Sequence, residues 1–271
     1  MPLLRLDALV VQKGLASGRD QAKAYILAGQ ITVDGKRVDK AGVMVAETAE
    51  VTFTGHANPF VSRGGLKLIK ALEAFRIDLA GKRVLDLGAS TGGFTDCALQ
   101  RGADHVVAVD VGYGQLAWSL RTDSRVTVLE RTNARYLTLD LIGEPVDFIS
   151  ADLSFISLTK IIPVLPPLLK PAGELVLLVK PQFEAGRDQV GKKGVVKDPQ
   201  VHIEVIEKVA ACARQYGLTP VEPGFSPITG PEGNIEYLLH LIPAAEPSPN
   251  FSALVAQTVA TAHQTLQPGR R

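Results

Sequence analysis

Apolar residues fall at two different periods in the first sixty positions of the chain. Leu6, Leu9 and Val10 recur at helical spacing before Gly14, and a second helical pattern runs from Arg19 to Ala28. Ser17 stands where an N-cap belongs, with Asp20 three residues on at the positive end of the helix dipole, and Gly29 is a natural stop. From Ile31 to Val38 the pattern becomes strand-like around Asp34-Gly35, the signature of a two-residue hairpin turn, and Val43 to Phe53 supplies further strand sequence. These elements predict a small α+β module over residues 1–57. Pro59 cannot donate to a strand ladder and pushes Asn58 into an extended conformation, so His56 to Phe60 reads as a connector, with a linker over 58–64.

Beyond Gly81 short apolar runs alternate with helical patterns. Strands are expected at Arg83–Leu87, His105–Val109, Val126–Leu129, Val146–Ser150 and Leu175–Val179. Two more, near Thr219–Glu222 and Ile235–Leu241, would close the sheet as a hairpin-like pair. This predicts a doubly wound α/β sheet with helices on both faces, spanning residues 65–243. Residues 244–271 form a Pro- and Ser-containing tail with a weak helix. No segment repeats at a fixed period of about 20–50 residues.

Composition adds mainly exclusions. The 271 residues suit one medium domain plus an accessory piece. A formal charge of +1 means that any nucleic-acid surface must come from local clustering of Lys and Arg. Arg19 and Lys23 lie one helical turn apart, and Arg5, Lys36 and Arg37 extend their face if the hairpin packs on the helices. Asp7, Asp20, Asp34 and Asp39 dilute that cluster, so on charge alone an ordinary solvated surface explains it equally well. The two cysteines, Cys97 and Cys212, match no metal-ligand spacing and read as small hydrophobes in a reducing compartment, with no metal. The first residues lack the apolar run of a signal peptide, and no stretch approaches the ~18 apolar residues of a membrane span. A cytoplasmic protein is the expectation.

Two places carry candidate chemistry. The first strand runs into Asp86-Leu87-Gly88-Ala89-Ser90-Thr91-Gly92-Gly93-Phe94, and glycines at the carboxyl end of a strand let a ligand approach the backbone. A second strand ends at Asp110, twenty-two positions after Gly88, placed to accept hydrogen bonds from ribose hydroxyls. Together they indicate a nucleotide-like ligand. The glycine spacing is wrong for a dinucleotide site, because Ala89 and Ser90 separate Gly88 from Thr91-Gly92-Gly93. The second place is a set of charges where folding makes charge awkward. Lys67 opens an apolar helical pattern, Asp152 and Lys180 follow apolar strands, and Glu236 lies in the mostly apolar "GNIEYLLHL". Two ordinary lysine–carboxylate pairs would explain these residues taken singly. That three of the four fall at strand ends framing the pocket is harder to explain that way.

The residues also carry resemblances. "RLDALVVQKGLASGRDQAKAYILAGQITVDGKRV" resembles an S4 domain, an RNA-binding module, which implies that Arg5, Arg19, Lys23, Lys36 and Arg37 face RNA phosphates. "DLGASTGGF" resembles the cofactor loop of class I methyltransferases, a Rossmann-like fold. That resemblance implies S-adenosylmethionine held by Asp86, Gly88, Ala89, Ser90, Thr91, Gly92, Phe94, Asp110 and Asp152, with Asn133 near the adenine amino group. "VSRGGLKL", "ADLSFISL", "LVKPQFE" and "GNIEYLL" resemble blocks of the TlyA family, known as hemolysin A or as ribosomal RNA cytidine 2′-O-methyltransferases; the catalytic half more distantly resembles FtsJ-type enzymes. The match runs from Arg5 to about Leu241 and places the family's catalytic tetrad on Lys67, Asp152, Lys180 and Glu236. The basic arm that precedes Arg5 in some members is missing here. The resemblance implies ribosomal RNA or a ribosomal subunit as partner and no metal.

In such a site Lys180 would direct the lone pair of a ribose hydroxyl or take its proton, with Asp152 and Glu236 holding the lysines. Phe183 to Pro199, rich in Gly, Lys and Val, reads as a mobile loop beside Lys180 that clamps the substrate or is plain surface. Rival readings are a membrane-active hemolysin, for which no convincing amphipathic or spanning element is present, and a catalytically silent RNA-binding or assembly factor. Base methylation is a third. Enzymes of that kind often carry Asn/Asp-Pro-Pro-aromatic after the fourth strand, where this chain has Asp152-Leu153-Ser154-Phe155.

Overall fold

The computed structural model describes residues 2–16, 18–27, 29–54, 58–246 and 248–266, which leaves the expected N-cap Ser17 and the connector residues His56 and Ala57 outside the described residues. The chain divides into two units, Met1–Ala57 and Asn58–Arg271.

In the first unit β1 (Leu3–Arg5) leads into α1 (Leu6–Gln12) and α2 (Arg19–Leu27), followed by β2 (Ile31–Val33), β3 (Lys36–Arg37), β4 (Met44–Ala46) and β5 (Val51–Phe53). Strand β1 pairs with β4, while β3, β2 and β5 form a three-stranded sheet. Asp34 and Gly35 both take positive φ, +50° and +75°, as a tight hairpin turn demands. Leu6, Leu9, Val10, Ile26, Ile31 and Val51 make the core, so the apolar stripes that predict the helices are the ones that bury.

The second unit opens with α3 (Gly64–Phe75). Then come β6 (Arg83–Leu87), α4 (Gly93–Gln100), β7 (His105–Val109), α5 (Trp118–Arg121), β8 (Val126–Leu129), α6 (Leu139–Ile142) and β9 (Val146–Ala151). The rest is β10 (Leu169–Val179), α7 (Pro181–Glu184), α8 (Pro199–Gln215), β11 (Leu218–Phe225), β12 (Tyr237–Pro243) and α9 (Phe251–Leu266). The sheet order is β11-β12-β10-β9-β6-β7-β8. Strands β10, β9, β6, β7 and β8 are parallel, and β12 runs antiparallel to both β10 and β11. The chain lays β7 and β8 on one side of β6, then returns to place β9 on the other. The strand ends beside β6 and β9 are therefore a topological switch point, where open α/β sheets bind ligands.

Alternate residues of the strands feed two cores. Leu85, Leu87, Val107 and Ile149 pack with α8 and α9; Val84, Val106, Phe148 and Leu178 pack with α3 and α4. The segment expected as a linker partly joins this second core. Phe60 is buried against it, and the Val61 amide donates to Asp96 Oδ2 at 2.8 Å. The C-terminal helix likewise buries Phe251, Val255, Val259 and Ala262.

Candidate active site

At the carboxyl end of β6 the chain turns through Gly88, with φ +85°. A Cβ there would lie 2.5 Å from the Asp152 carbonyl oxygen at the end of β9, so the two strand ends approach this closely only with glycine between them. The Gly88 and Ala89 amides both donate to Val109 O, tying the loop to the end of β7. Ser90, at φ +48°, donates its amide to Asp110 Oδ2 at 2.8 Å, and the Gly112 amide donates to Oδ1 at 2.7 Å. Two backbone amides thus fix the Asp110 carboxylate on the wall of a cavity of about 530 Å³ shared with Asn133. Asn133 Oδ1 accepts from the Arg135 amide, and its Nδ2 has no partner among the described residues. A second cavity, about 390 Å³, continues on the far side of Gly88 past Ala89, Ser90, Thr91 and Phe94 to Lys67. Arg63 opens onto it with no ion pair among the described residues, a cation suited to a ligand carboxylate.

Two residues expected at the cofactor lie off these walls. Asp86 is wholly buried on the α4 face of β6, where it accepts from Thr95 Oγ1 at 2.7 Å and Ser150 Oγ at 3.2 Å. Burial raises its carboxyl to about 7. It ties α4 and β9 together beneath the loop. Gly92, at φ +101°, is closed in by Leu120 and Leu116, which a Cβ would strike at 2.2 and 2.9 Å.

The four awkward charges meet. Lys67 comes from the buried face of α3; Asp152 and Lys180 follow directly on β9 and β10. Because β12 is antiparallel and Tyr237 pairs with Val179, Glu236 just before β12 reaches the same end of the sheet. They form a chain of alternating charge. Glu236 Oε2 lies 2.5 Å from Lys67 Nζ, Lys67 Nζ 3.9 Å from Asp152 Oδ2, and Asp152 Oδ1 2.5 Å from Lys180 Nζ. Lys67, Lys180 and Glu236 are buried, at 8 %, 7 % and 1 % exposure, which only a paired set tolerates. Lys180 also donates to Ser154 Oγ at 3.0 Å. Lys180 and Glu236 also line a third cavity.

Phe155 carries no mark in the sequence. It is 91 % exposed beside that cavity, with φ +63° and its ring centroid 5.1 Å from that of Phe183. Buried Glu184 fixes the loop behind it, accepting from Ser157 Oγ at 2.6 Å and from the Leu158 amide at 2.7 Å. An exposed aromatic held in left-handed backbone signals function. No periodicity marks a single such residue.

In the first unit, Arg5 donates twice to the buried carboxylate of Asp7, at 3.1 and 2.8 Å, and Arg19 lies 3.8 Å from it. The Arg5 hydrogen bonds hold the Asp7 carboxyl below its usual range. One buried acid thus orients two half-exposed guanidiniums. Lys23 pairs with Asp20 across one helical turn. Lys36 and Arg37 are consecutive on β3 and so face opposite ways, contrary to the expectation of one continuous basic face. The Arg37 guanidinium lies over Gly29, at the end of α2.

The family model for FtsJ-like methyltransferases matches residues 60–242, and that for the S4 domain matches residues 4–51. The 16S/23S rRNA (cytidine-2′-O)-methyltransferase TlyA of Mycobacterium tuberculosis is 52% identical over 238 residues, covering 88% of this chain and 89% of that protein. The chain belongs to the TlyA family of FtsJ-like methyltransferases. Within it, Hemolysin A of Brachyspira hyodysenteriae is 39% identical over 88% of this chain and all of its own length. A solved structure from Streptococcus thermophilus that carries the hemolysin name superimposes with a TM-score of 0.79 at 44% identity, covering 98% of each chain. Among the described residues no helix of this TlyA-family protein is long and apolar enough to cross a membrane, and no three or more His, Cys, Asp or Glu side chains gather as metal ligands.

Proposed function

We propose that this TlyA-family enzyme transfers a methyl group from S-adenosylmethionine to a ribose 2′-hydroxyl of ribosomal RNA, at a cytidine. The observation that carries the reading is the buried Glu236–Lys67–Asp152–Lys180 chain, closed at the switch point between two cavities that suit the cofactor and a third that suits a nucleotide. The cytidine and the ribosomal target follow from relatives of the same family that carry those words in their names.

The residues fit the cofactor. Asp110 can take the two ribose hydroxyls, Asn133 Nδ2 and its surroundings the adenine edge, and the backbone at Gly88 a close approach that a side chain would block. When bound, the sulfonium supplies an activated methyl carbon. What remains for the protein is alignment and charge. Lys180, held beside Asp152 and hydrogen-bonded to Ser154, points an N–H at the incoming 2′-oxygen and sets the direction of its lone pair. Positive charge would build on that oxygen as it bonds to the methyl carbon, and loss of its proton to water discharges it. Two carboxylates balance the two lysines, so the added charge enters a locally neutral site. Phe155 and Phe183 offer faces on which an unstacked base can rest, the usual way in which proteins hold single RNA bases. In the first unit Arg5 and Arg19, oriented by Asp7, with Lys23, supply phosphate contacts that position without specifying sequence.

A 2′-O-methyl group blocks attack of that oxygen on the adjacent phosphate. After labelling with tritiated S-adenosylmethionine and complete alkaline hydrolysis of ribosomal RNA, the label should remain in an uncleaved dinucleotide. Label recovered in a mononucleotide would place the methyl on a base and contradict the reading.

A further inference from the structure

The segment after α7 is tied down in a way that its composition does not suggest. Gly191 and Gly194 close a tight turn: Gly194 N donates to Gly191 O at 2.8 Å, and Gly191 N to Val195 O at 3.1 Å. Lys192 and Lys193 occupy its two central positions. Behind the turn Asn234, 2 % exposed, uses both ends of its amide. Nδ2 donates to Gly194 O at 2.9 Å, and Oδ1 accepts from Val196 N at 3.0 Å. Val196 O lies 3.0 Å from Nε2 of wholly buried His202, whose Nδ1 is 2.7 Å from the Tyr237 hydroxyl. Burial pushes the His202 ring down to about 4, so it is neutral at pH 7 and donates from Nε2 while Nδ1 accepts. Asn234 and Tyr237 lie on either side of Glu236 in the sequence. The turn is thereby fixed to the segment that carries one of the four site charges, and Val190 and Gly194 line the cavity into which Lys180 opens.

Buried amide and imidazole groups are committed to holding a turn whose tip sets two like charges side by side. Both lysines are exposed and have no ion pair or hydrogen bond among the described residues. Adjacent unpaired like charges do not stabilise a fold, and the tip stands open to an anion from outside. A nucleotide that brings its 2′-oxygen to Lys180 also brings its 3′-phosphate, which is esterified to the neighbouring ribose carbon. On the ribose-methylation reading, we propose that Lys192 and Lys193 bind the backbone phosphates flanking the target nucleotide and hold its ribose against Lys180. The turn is then a fixed strap beside the reacting hydroxyl, working at short range.

The test uses the full chain and a ribosomal RNA fragment spanning the methylated nucleotide, made with natural phosphodiesters or with neutral methylphosphonates on both sides of that nucleotide. On natural RNA the Lys192→Ala/Lys193→Ala variant should bind about tenfold or more weakly, and its slope of log affinity against log salt should be shallower by about 1.4, at ~0.7 per phosphate contact on a single strand. Lys192→Arg/Lys193→Arg should keep the wild-type affinity, and S-adenosylmethionine affinity measured by calorimetry should be the same in all three proteins. On methylphosphonate RNA the wild type and the alanine variant should bind alike. Equal affinity on natural RNA would overturn the proposal. So would an undiminished alanine penalty on methylphosphonate RNA, which would move the lysines to a contact elsewhere, such as an acidic protein surface. Transfer of label to a base by the wild type would overturn the ribose reading instead, and the phosphate comparison would still be readable.

Discussion

Replacing Lys180 with alanine is expected to lower methyl transfer by roughly 10²–10³-fold, the range for loss of one preorganised hydrogen-bond donor at a reacting oxygen. Cofactor affinity should stay within a few-fold of wild type. The separation follows from where the parts sit. Asp110 and the Gly88 turn, which would hold the cofactor, are fixed by hydrogen bonds among β6, β7 and their own loops, none of which involves Lys180. Lys180 meets Asp152, Ser154 and the third cavity instead. Its loss leaves Asp152, whose side chain is 20% exposed, beside Lys67 and open to water, so the fold should survive. Calorimetry with S-adenosylmethionine and a tritium-transfer assay give the two readouts. Near-full turnover in the variant would remove Lys180 from the chemistry.

Gly88→Ala should act on both halves of the site at once. The residue would have to hold φ near +85° with a Cβ 2.5 Å from the Asp152 carbonyl oxygen, and that contact is backbone, which has little room to yield. Separating the ends of β6 and β9 moves the cofactor loop and drags Asp152 away from Lys67 and Lys180. The expected result is a loss of cofactor affinity of about 100-fold or more, equivalent to roughly 3 kcal/mol, together with undetectable transfer. Gly92→Ala is the control. Its φ of +101° is strained for alanine too, but the Cβ meets the Leu116 and Leu120 side chains and not the backbone between β6 and β9. Its damage should therefore fall more on the melting temperature than on cofactor affinity. Normal calorimetric binding by the Gly88→Ala variant would show that the cofactor does not approach the loop there.

These predictions rest on features of unequal legibility. Strands β6 and β7 have the bounds that their sequence indicates, because strands buried on both faces read as apolar runs stopped by polar residues. The four charges stood out for the same reason, each interrupting such a run or an apolar helical face. What sequence does not encode is partnership. That Asp7 gathers Arg5 and Arg19, and that Asn234 pins a turn 40 residues before it, depends on how the folded elements meet. Phe60 was hidden because one aromatic after a proline looks like a connector, though it is buried in the α3–α4 core. Asp86 was assigned to the cofactor by its place in the motif, whereas its side chain points to the buried face and ties Thr95 and Ser150. Lys36 and Arg37 were grouped by adjacency in sequence, which on a strand separates side chains.

The central claim, that the methyl lands on a ribose oxygen, is tested most directly by removing that oxygen. A ribosomal RNA fragment is prepared in two forms that differ only at the mapped nucleotide, one with its 2′-hydroxyl and one with 2′-deoxy, so every base edge and phosphate is kept. With S-adenosylmethionine and the full chain, the natural fragment should be methylated at that nucleotide and the deoxy fragment should not, while both compete for the enzyme with similar affinity. Continued methylation of the deoxy fragment at the same nucleotide would contradict the account and assign the four-charge site to base methylation.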